Sequence, residues 1–223
     1  MTPAETQEAV SLIASICTRL RGLPPTATGT AGADLRRLTG AVTTEAESLL
    51  RSATLSARML ACFQAAFAAG ATFTGFLSLR NQIAALDLVG ASARLVRQDA
   101  SRRCLIQMAR CVAATDFKTS DAVLAAQAQI NAVFGAAEDE TMDALDSDTY
   151  RVLVTLHAAV TRDLTTRARP LPRIVTYATA KPMPALALAQ RLYGDAGRAD
   201  DLVVGNDAWS PLFMPASGQA LSA

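Results

Sequence analysis

The chain is short of the residues that carry chemistry. Its 223 residues include one histidine, His157, and four cysteines, no two of them in a CxxC pair. With no such pair and no cysteine near His157 in sequence, a zinc centre is not expected. The GxxxxGK[ST], GxSxG and HExxH patterns are all missing, so phosphate-loop, serine-nucleophile and zinc-helix chemistries are not expected either. Neither charge is in excess: 21 basic residues face 20 acidic ones, for a net charge of +1. That balance creates no general field to draw in nucleic acid or an anionic membrane. Aromatic residues make up only 5%, against 51% hydrophobic residues with abundant alanine. Helices packed closely through small side chains are favoured over a β-sandwich. The start, MTPAETQEAV, lacks a basic segment followed by an apolar core, and no signal peptide is expected.

One run, Met59 to Leu79, has no charge at all, and it approaches the length of a membrane span. Gln64, Thr72, Thr74, Ser78, Gly70 and Gly75 interrupt it, and much of the rest is alanine. It reads as a buried helix or helix pair, with a membrane span as the alternative. Cys17, Cys62, Cys104 and Cys111 read as buried reduced thiols. Seven residues of helix separate Cys104 from Cys111 by roughly 10 Å, too far for a disulfide.

The pattern predicts a mainly helical chain. A first helix runs from Pro3 to Leu20, with Val10, Ile13, Ala14, Cys17 and Leu20 on one stripe. Residues 22–33, rich in Gly, Pro and Thr, read as a loop or linker. Thr44 and Glu47 form a capping-box pattern, predicting a helix start that carries Leu49, Leu50 and Leu60. Gly70 and Gly75 mark a break or a close helix contact. Another helical region covers Leu79 to Ala114. Thr119 or Ser120 caps the next helix, whose face is Val123, Leu124, Gln127, Ile130 and Phe134. The acidic stretch 138–148 lacks the spacing of a calcium loop and reads as a solvated turn. Ser147 or Asp148 then opens a helix with Leu153, Leu156, Val160 and Leu164 inward, which ends before Pro170 and Pro172. Residues 1–169 are thus expected as an all-helical bundle or array.

After Pro172 the pattern changes. Residues 173–180, RIVTYATA, are rich in β-branched residues and read as a strand. Pro182 and Pro184 introduce a helix with Ala185, Leu188, Ala189 and Leu192 as its stripe, stopped at Gly194, with Asp195 as the cap of the next helical segment. That second short helix turns Ala199, Leu202 and Val203 inward and stops at Gly205. The final GQALSA reads as a short closing strand. Residues 170–223 are therefore expected as a small α+β domain in the order strand, helix, helix, strand.

This domain resembles a lysin motif in LALAQRLYGD (186–195), ADDLVVGN (199–206), Pro211 and GQAL (218–221). The resemblance implies that Asn206, Gly218 and Gln219 shape the turns. A wider match takes in ATDFKTSDA (114–122), residues 148–168 and residues 171–206. It resembles the C-terminal half of the DNA-circularisation (N) protein family of Mu-like contractile phages. That likeness implies a virion protein of the tail, at the baseplate hub or tube end, serving as an adaptor without enzymatic activity or cofactor. The implied partners are hub, tube, sheath-initiating or tape-measure subunits, in a homo-oligomeric ring. Peptidoglycan binding through the lysin-motif-like domain is one alternative, and DNA binding or circularisation another.

The candidate contact residues are Tyr193, Asn206, Trp209 and Phe213, for a protein surface or, in the alternative, a sugar. Arg94, Arg97, Arg102 and Arg103 are the candidates for phosphate contact, with salt-bridging or solvation as the competing reading. His157, among Leu153, Leu156 and Val160, reads as a packed or surface side chain and not as a general base.

Overall fold

A computed structural model describes residues 2–144 and 146–222. The chain is mainly helical with one two-stranded sheet. Its elements are α1 (Pro3–Arg21), α2 (Gly29–Arg51), α3 (Leu55–Ala68), α4 (Phe73–Ala84), α5 (Ala91–Ala114), α6 (Ser120–Asp143), α7 (Ser147–Ala168), β1 (Ile174–Ala178), α8 (Ala185–Tyr193), a 3-10 turn (Ala196–Arg198), α9 (Ala199–Gly205) and β2 (Ser217–Leu221). None of the described helices is long and apolar enough to cross a membrane. Packing divides the chain into two units, at Thr115/Asp116. The onset of β structure near residue 170 therefore falls inside the second unit, which also takes in α6 and α7.

In the first unit α1 lies against α2 and α5, α2 against α3, and α4 against α5. The fully buried side chains include Ile13, Ile16 and Leu20 of α1, Phe63 of α3, Phe76 and Ile83 of α4, and Leu105 and Met108 of α5. Phe63 and Phe76 stack with ring centroids 6.4 Å apart. The uncharged run Met59 to Leu79 forms the end of α3 and the start of α4, so it is the buried helix pair expected. Glu8 of α1 accepts hydrogen bonds from the N–H groups of Val89 and Gly90, at 3.0 and 2.7 Å. A side chain from one helix thus supplies the N-terminal cap of another, α5, satisfying donors that have no partner within it.

Several expectations for this unit need correction. The linker is shorter than 22–33, because α2 begins at Gly29. Gly32, in the first turn of α2, serves a close approach: a Cβ on it would lie 2.2 Å from the carbonyl oxygen of Ala27. Thr44 caps nothing. It lies within α2 and donates to the Gly40 carbonyl, as Thr39 and Thr43 donate to carbonyls four residues back, a common arrangement for threonine inside a helix. The break before Leu60 comes at Ala53, which takes a left-handed φ of 57°. There Ala53 N–H bonds to the Leu50 carbonyl and Thr54 N–H to that of Leu49, a Schellman closure without its usual glycine. The region from Leu79 to Ala114 is interrupted between α4 and α5.

In the second unit α6 and α7 form an antiparallel hairpin. Its seam on α6 is Val123, Gln127, Ile130, Phe134, Ala137 and Thr141, all buried or half-buried and spaced four and three residues apart, the spacing of a coiled-coil seam. Leu124, expected on that face, is half-exposed, because it falls off the four–three spacing. The acidic stretch is not a turn through 138–143, since α6 runs to Asp143. The N-cap of α7 is Asp146, which accepts from Thr149 N–H at 3.2 Å; Ser147 and Asp148 lie already in its first turn. Leu153 and Leu164 are buried as expected.

β1 and β2 pair antiparallel over five residues, from Ile174 opposite Leu221 to Ala178 opposite Ser217. Helices α8 and α9 pack on each other. A small core of Tyr177, Ala185, Leu188, Ala189, Ala199, Leu202, Met214 and Ala220 fills the space between them and the sheet. Gly194 (φ 71°) ends α8 as expected, and Asp195 accepts from Gly197 N–H at 2.8 Å to start the 3-10 turn. The strand segment is tied to the hairpin: Ser120 N–H donates to the Pro172 carbonyl at 2.9 Å, and Ile174 N–H to an Asp121 carboxylate oxygen at 2.6 Å.

Candidate functional site

The segment between α9 and β2 is held at both ends and bare in the middle. Ala208 packs against the small core and Met214 lies fully within it. Met214 N–H donates to the Met183 carbonyl at 3.0 Å, and Ala185 N–H donates to the Pro211 carbonyl at 2.7 Å. Inside the loop, Phe213 N–H reaches the Ser210 carbonyl and Leu212 N–H its hydroxyl. Between these anchors stand Trp209, Leu212 and Phe213, which are 96%, 63% and 71% exposed. An apolar group of this size, left in water on a well-anchored backbone, marks a contact surface. The pinning means that little conformational freedom remains to be lost when the loop is covered.

The other two candidates have structural work. Asn206 acts as a substitute strand along the outer edge of β2. Its Oδ1 accepts from Gln219 N–H at 2.6 Å, while its Nδ2 donates to the Gln219 carbonyl at 2.7 Å and to the Leu202 carbonyl at 2.8 Å. Gly218 makes room for it, since a Cβ there would lie 2.2 Å from Asn206 Oδ1 and 2.8 Å from the Tyr177 hydroxyl. The structure thus brings Asn206, Gly218 and Gln219 together. Tyr193 accepts a hydrogen bond from Leu221 N–H at 3.0 Å, and the Arg198 guanidinium lies 3.9 Å from its ring centroid. It is engaged at the far end of β2 from the loop, so it forms no clamp with Trp209. Tyr177 donates to the Pro215 carbonyl at 3.2 Å, and burial, with a smaller effect from Tyr193, raises its pKa.

The four arginines do not share one face. Arg103 is 8% exposed. It grips Asp99 through two hydrogen bonds of 2.7 and 2.9 Å and reaches Ser56 of α3 at 2.8 Å. Arg97 donates to the Leu86 carbonyl at 3.0 Å. Arg94 is exposed and Arg102 half-buried. Arg103 binds helices to each other, and of the four only Arg94 is exposed.

His157 lies half-buried on the α6–α7 seam. Its Nδ1 is 2.9 Å from Glu138 Oε1, its Nε2 is 3.0 Å from Asn131 Oδ1, and its ring stacks on Phe134 at 5.3 Å. Both ring nitrogens thereby face packing partners on α6. Cys17, Cys62 and Cys104 are buried and Cys111 partly so. Burial pushes the Cys104 thiol up to about 12. Contact with Cys17, and then burial, raises that of Cys62. Among the described residues no group of three or more His, Cys, Asp or Glu side chains is placed to hold a metal ion.

Two apolar side chains escaped the sequence reading: Leu212, beside Phe213, and Val204 on α9, which is 80% exposed. For Leu212 a signal existed, since the loop spells Trp-Ser-Pro-Leu-Phe with no charge. Val204 carries no such signal, because its position on the outer side of α9 is decided by packing. It borders a groove of about 450 Å³ that also touches Ile174, Asp200 and Leu221. Compared with known proteins, the chain matches no protein-family model and no curated protein.

Proposed function

We propose that this chain is a non-enzymatic adaptor of a contractile phage tail, sited at the baseplate hub or tube end, and that its strand–helix–helix–strand segment is a lysin-motif-like module. The resemblance of residues 114–122, 148–168 and 171–206 to the DNA-circularisation protein family suggests the setting. The observation that carries the adaptor role is the pinned loop with Trp209, Leu212 and Phe213 outside the core. Trp209 is the expected hot spot, because a fully desolvated tryptophan at the centre of an interface is worth at least about 2 kcal/mol. Its partners are hub, tube, sheath-initiating or tape-measure subunits, and its place is the virion.

A sugar clamp of Trp209 with Tyr193 gains no support from the position of Tyr193, and a phosphate site built on Arg103 gains none from its burial. Trp209→Ala is expected to fold like the wild type by circular dichroism, yet to be left out of assembled tail particles. Incorporation at the wild-type level would sink the adaptor role. Co-sedimentation of the full chain with purified sacculi, lost in Trp209→Ala, would transfer the loop to peptidoglycan.

A further inference from the structure

The two edges of the small sheet are finished differently. In an antiparallel ladder, hydrogen-bonded pairs alternate with pairs whose N–H and C=O groups point away from the partner strand. Ser222 N–H donates to the Arg173 carbonyl and Thr179 N–H to that of Ala216, both at 2.7 Å. With Ile174 opposite Leu221 and Ala178 opposite Ser217, the pairs that bond across the sheet are then those of Val175 and Tyr177. Ile174, Thr176 and Ala178 turn their backbone groups to the outer edge of β1, and Ser217, Gln219 and Leu221 turn theirs to the outer edge of β2. Three further bonds agree with this: Ile174 N–H leaves the sheet for Asp121, Gln219 N–H for Asn206 and Leu221 N–H for the Tyr193 hydroxyl.

The β2 edge is thus closed by side chains. Asn206 engages both backbone groups of Gln219, and Tyr193 engages the N–H of Leu221. The β1 edge has one such stopper, Asp121 on Ile174. Beyond it, the Ile174 carbonyl, both groups of Thr176 and the N–H of Ala178 have no partner among the described residues. Ile174, Val175, Thr176 and Ala178 are all exposed. Open edges are usually guarded by a charge, a proline or a bulge. Residues 174–180, IVTYATA, hold no charge, proline or glycine.

A row of donors and acceptors at strand spacing fits an extended backbone, which adds to the sheet as another strand. Charge narrows the choice. From Arg173 to Gly194 the sequence holds no carboxylate. The Ile174 end carries both signs, with Arg173 exposed and Asp121 bonded to Ile174 N–H, and Lys118 near it is paired with Asp116. Beyond Ala178 the next charge is Lys181, which is exposed.

We propose that the β1 edge accepts an extended segment of a partner protein as a third, antiparallel strand. The segment is uncharged and β-branched along its length, with a carboxylate at its N-terminal end, beside Lys181. Thr176 exchanges both of its bonds with one residue of that segment, and the side chains of Ile174 and Val175 gain cover on opposite faces of the sheet. This goes beyond the adaptor role and uses a different surface from the Trp209 loop.

The probe is a labelled synthetic peptide, Glu-Thr-Val-Thr-Val-Thr-Ser, titrated into the full chain and followed by fluorescence anisotropy and by amide exchange of the protein. Saturable binding is expected below about 1 mM, with exchange slowed at Thr176 and Ala178 and unchanged at Gln219. Thr176→Pro removes an outward donor and no ladder bond, a place where a strand tolerates proline. It is expected to fold like the wild type by circular dichroism and to weaken binding at least about tenfold. Ala178→Pro replaces it, with the same expected result, should it fail to fold. Lys181→Glu is expected to weaken binding about threefold, and Trp209→Ala to bind like the wild type. Absence of saturable binding up to about 1 mM overturns the proposal. Binding that leaves exchange at Thr176 and Ala178 unaltered overturns it too, as does full binding by a folded proline variant. Loss of binding in Trp209→Ala moves the peptide to the loop and overturns it likewise. Unweakened binding by Lys181→Glu overturns the placement of the carboxylate. Normal entry of Trp209→Ala into tail particles overturns the adaptor role and leaves this strand addition standing.

Discussion

In the first unit a charged side chain is taken into the helix packing, whereas in the second the molecule's one tryptophan is left outside. Arg103 is nearly fully buried, with Asp99 and Ser56 as partners, and Trp209 is nearly fully exposed. The difference follows from size. Five helices enclose enough volume to surround phenylalanines completely, and a buried guanidinium is tolerated once its donors are matched. The strand–helix–helix–strand segment has one thin core of eight buried side chains, four of them alanine. A segment this small has little interior for large apolar groups. What it displays is therefore available for contact, and what the first unit hides serves stability.

The largest expected effect lies in the first unit. Phe63→Ala should remove about 3–5 kcal/mol, because a fully buried phenylalanine leaves a cavity that helices close only in part; chemical denaturation measures it. If the loss is under about 1 kcal/mol, the core is looser than its burial implies and the contrast between the units fails. Next, Asn206→Ala strips Gln219 N–H and C=O of their partner. Each such hydrogen bond contributes about 0.5–1.5 kcal/mol net, and the loss of these is read as faster amide exchange at Gln219. Exchange unchanged from wild type would show that solvent replaces Asn206 without cost.

Smaller again is Glu8→Ala, which uncaps α5 and should cost about 1 kcal/mol, measured by thermal unfolding. Trp209→Ala should change stability least, within about 0.5 kcal/mol, while having the largest effect on assembly. A substantial loss of stability from that substitution would mean that the loop holds the module together and does not face outward. Thiol chemistry sharpens the same contrast. With its pKa near 12 and no exposure, Cys104 should resist a thiol reagent at pH 8 until the protein unfolds. Rapid labelling of Cys104 in the native state would indicate an open core.

Much of the helical plan could be read along the chain. Stripes such as Ile13–Cys17–Leu20 and Val123–Ile130–Phe134 are periodic over many residues, and Gly194 and Pro170 stop helices by their own covalent geometry. The failures have local causes. Ala53 ends α2 in a left-handed conformation that nothing in alanine announces. Thr44 and Glu47 imitate a cap because a cap and a mid-helix threonine use the same side-chain oxygen. The acidic 138–143 looked like a turn, since charge signals exposure and not backbone shape.

For the candidate site the division is sharper. The amino-acid order alone set the uncharged Trp-Ser-Pro-Leu-Phe segment and the Asn206–Gly218–Gln219 set, since both depend on residue identity. Tertiary structure decided that Arg103 turns inward, that Tyr193 is spent on Leu221, and that Val204 and Ile174 border a common groove. Burial and direction are properties of neighbours brought in from distant parts of the chain, and no single segment carries them by itself.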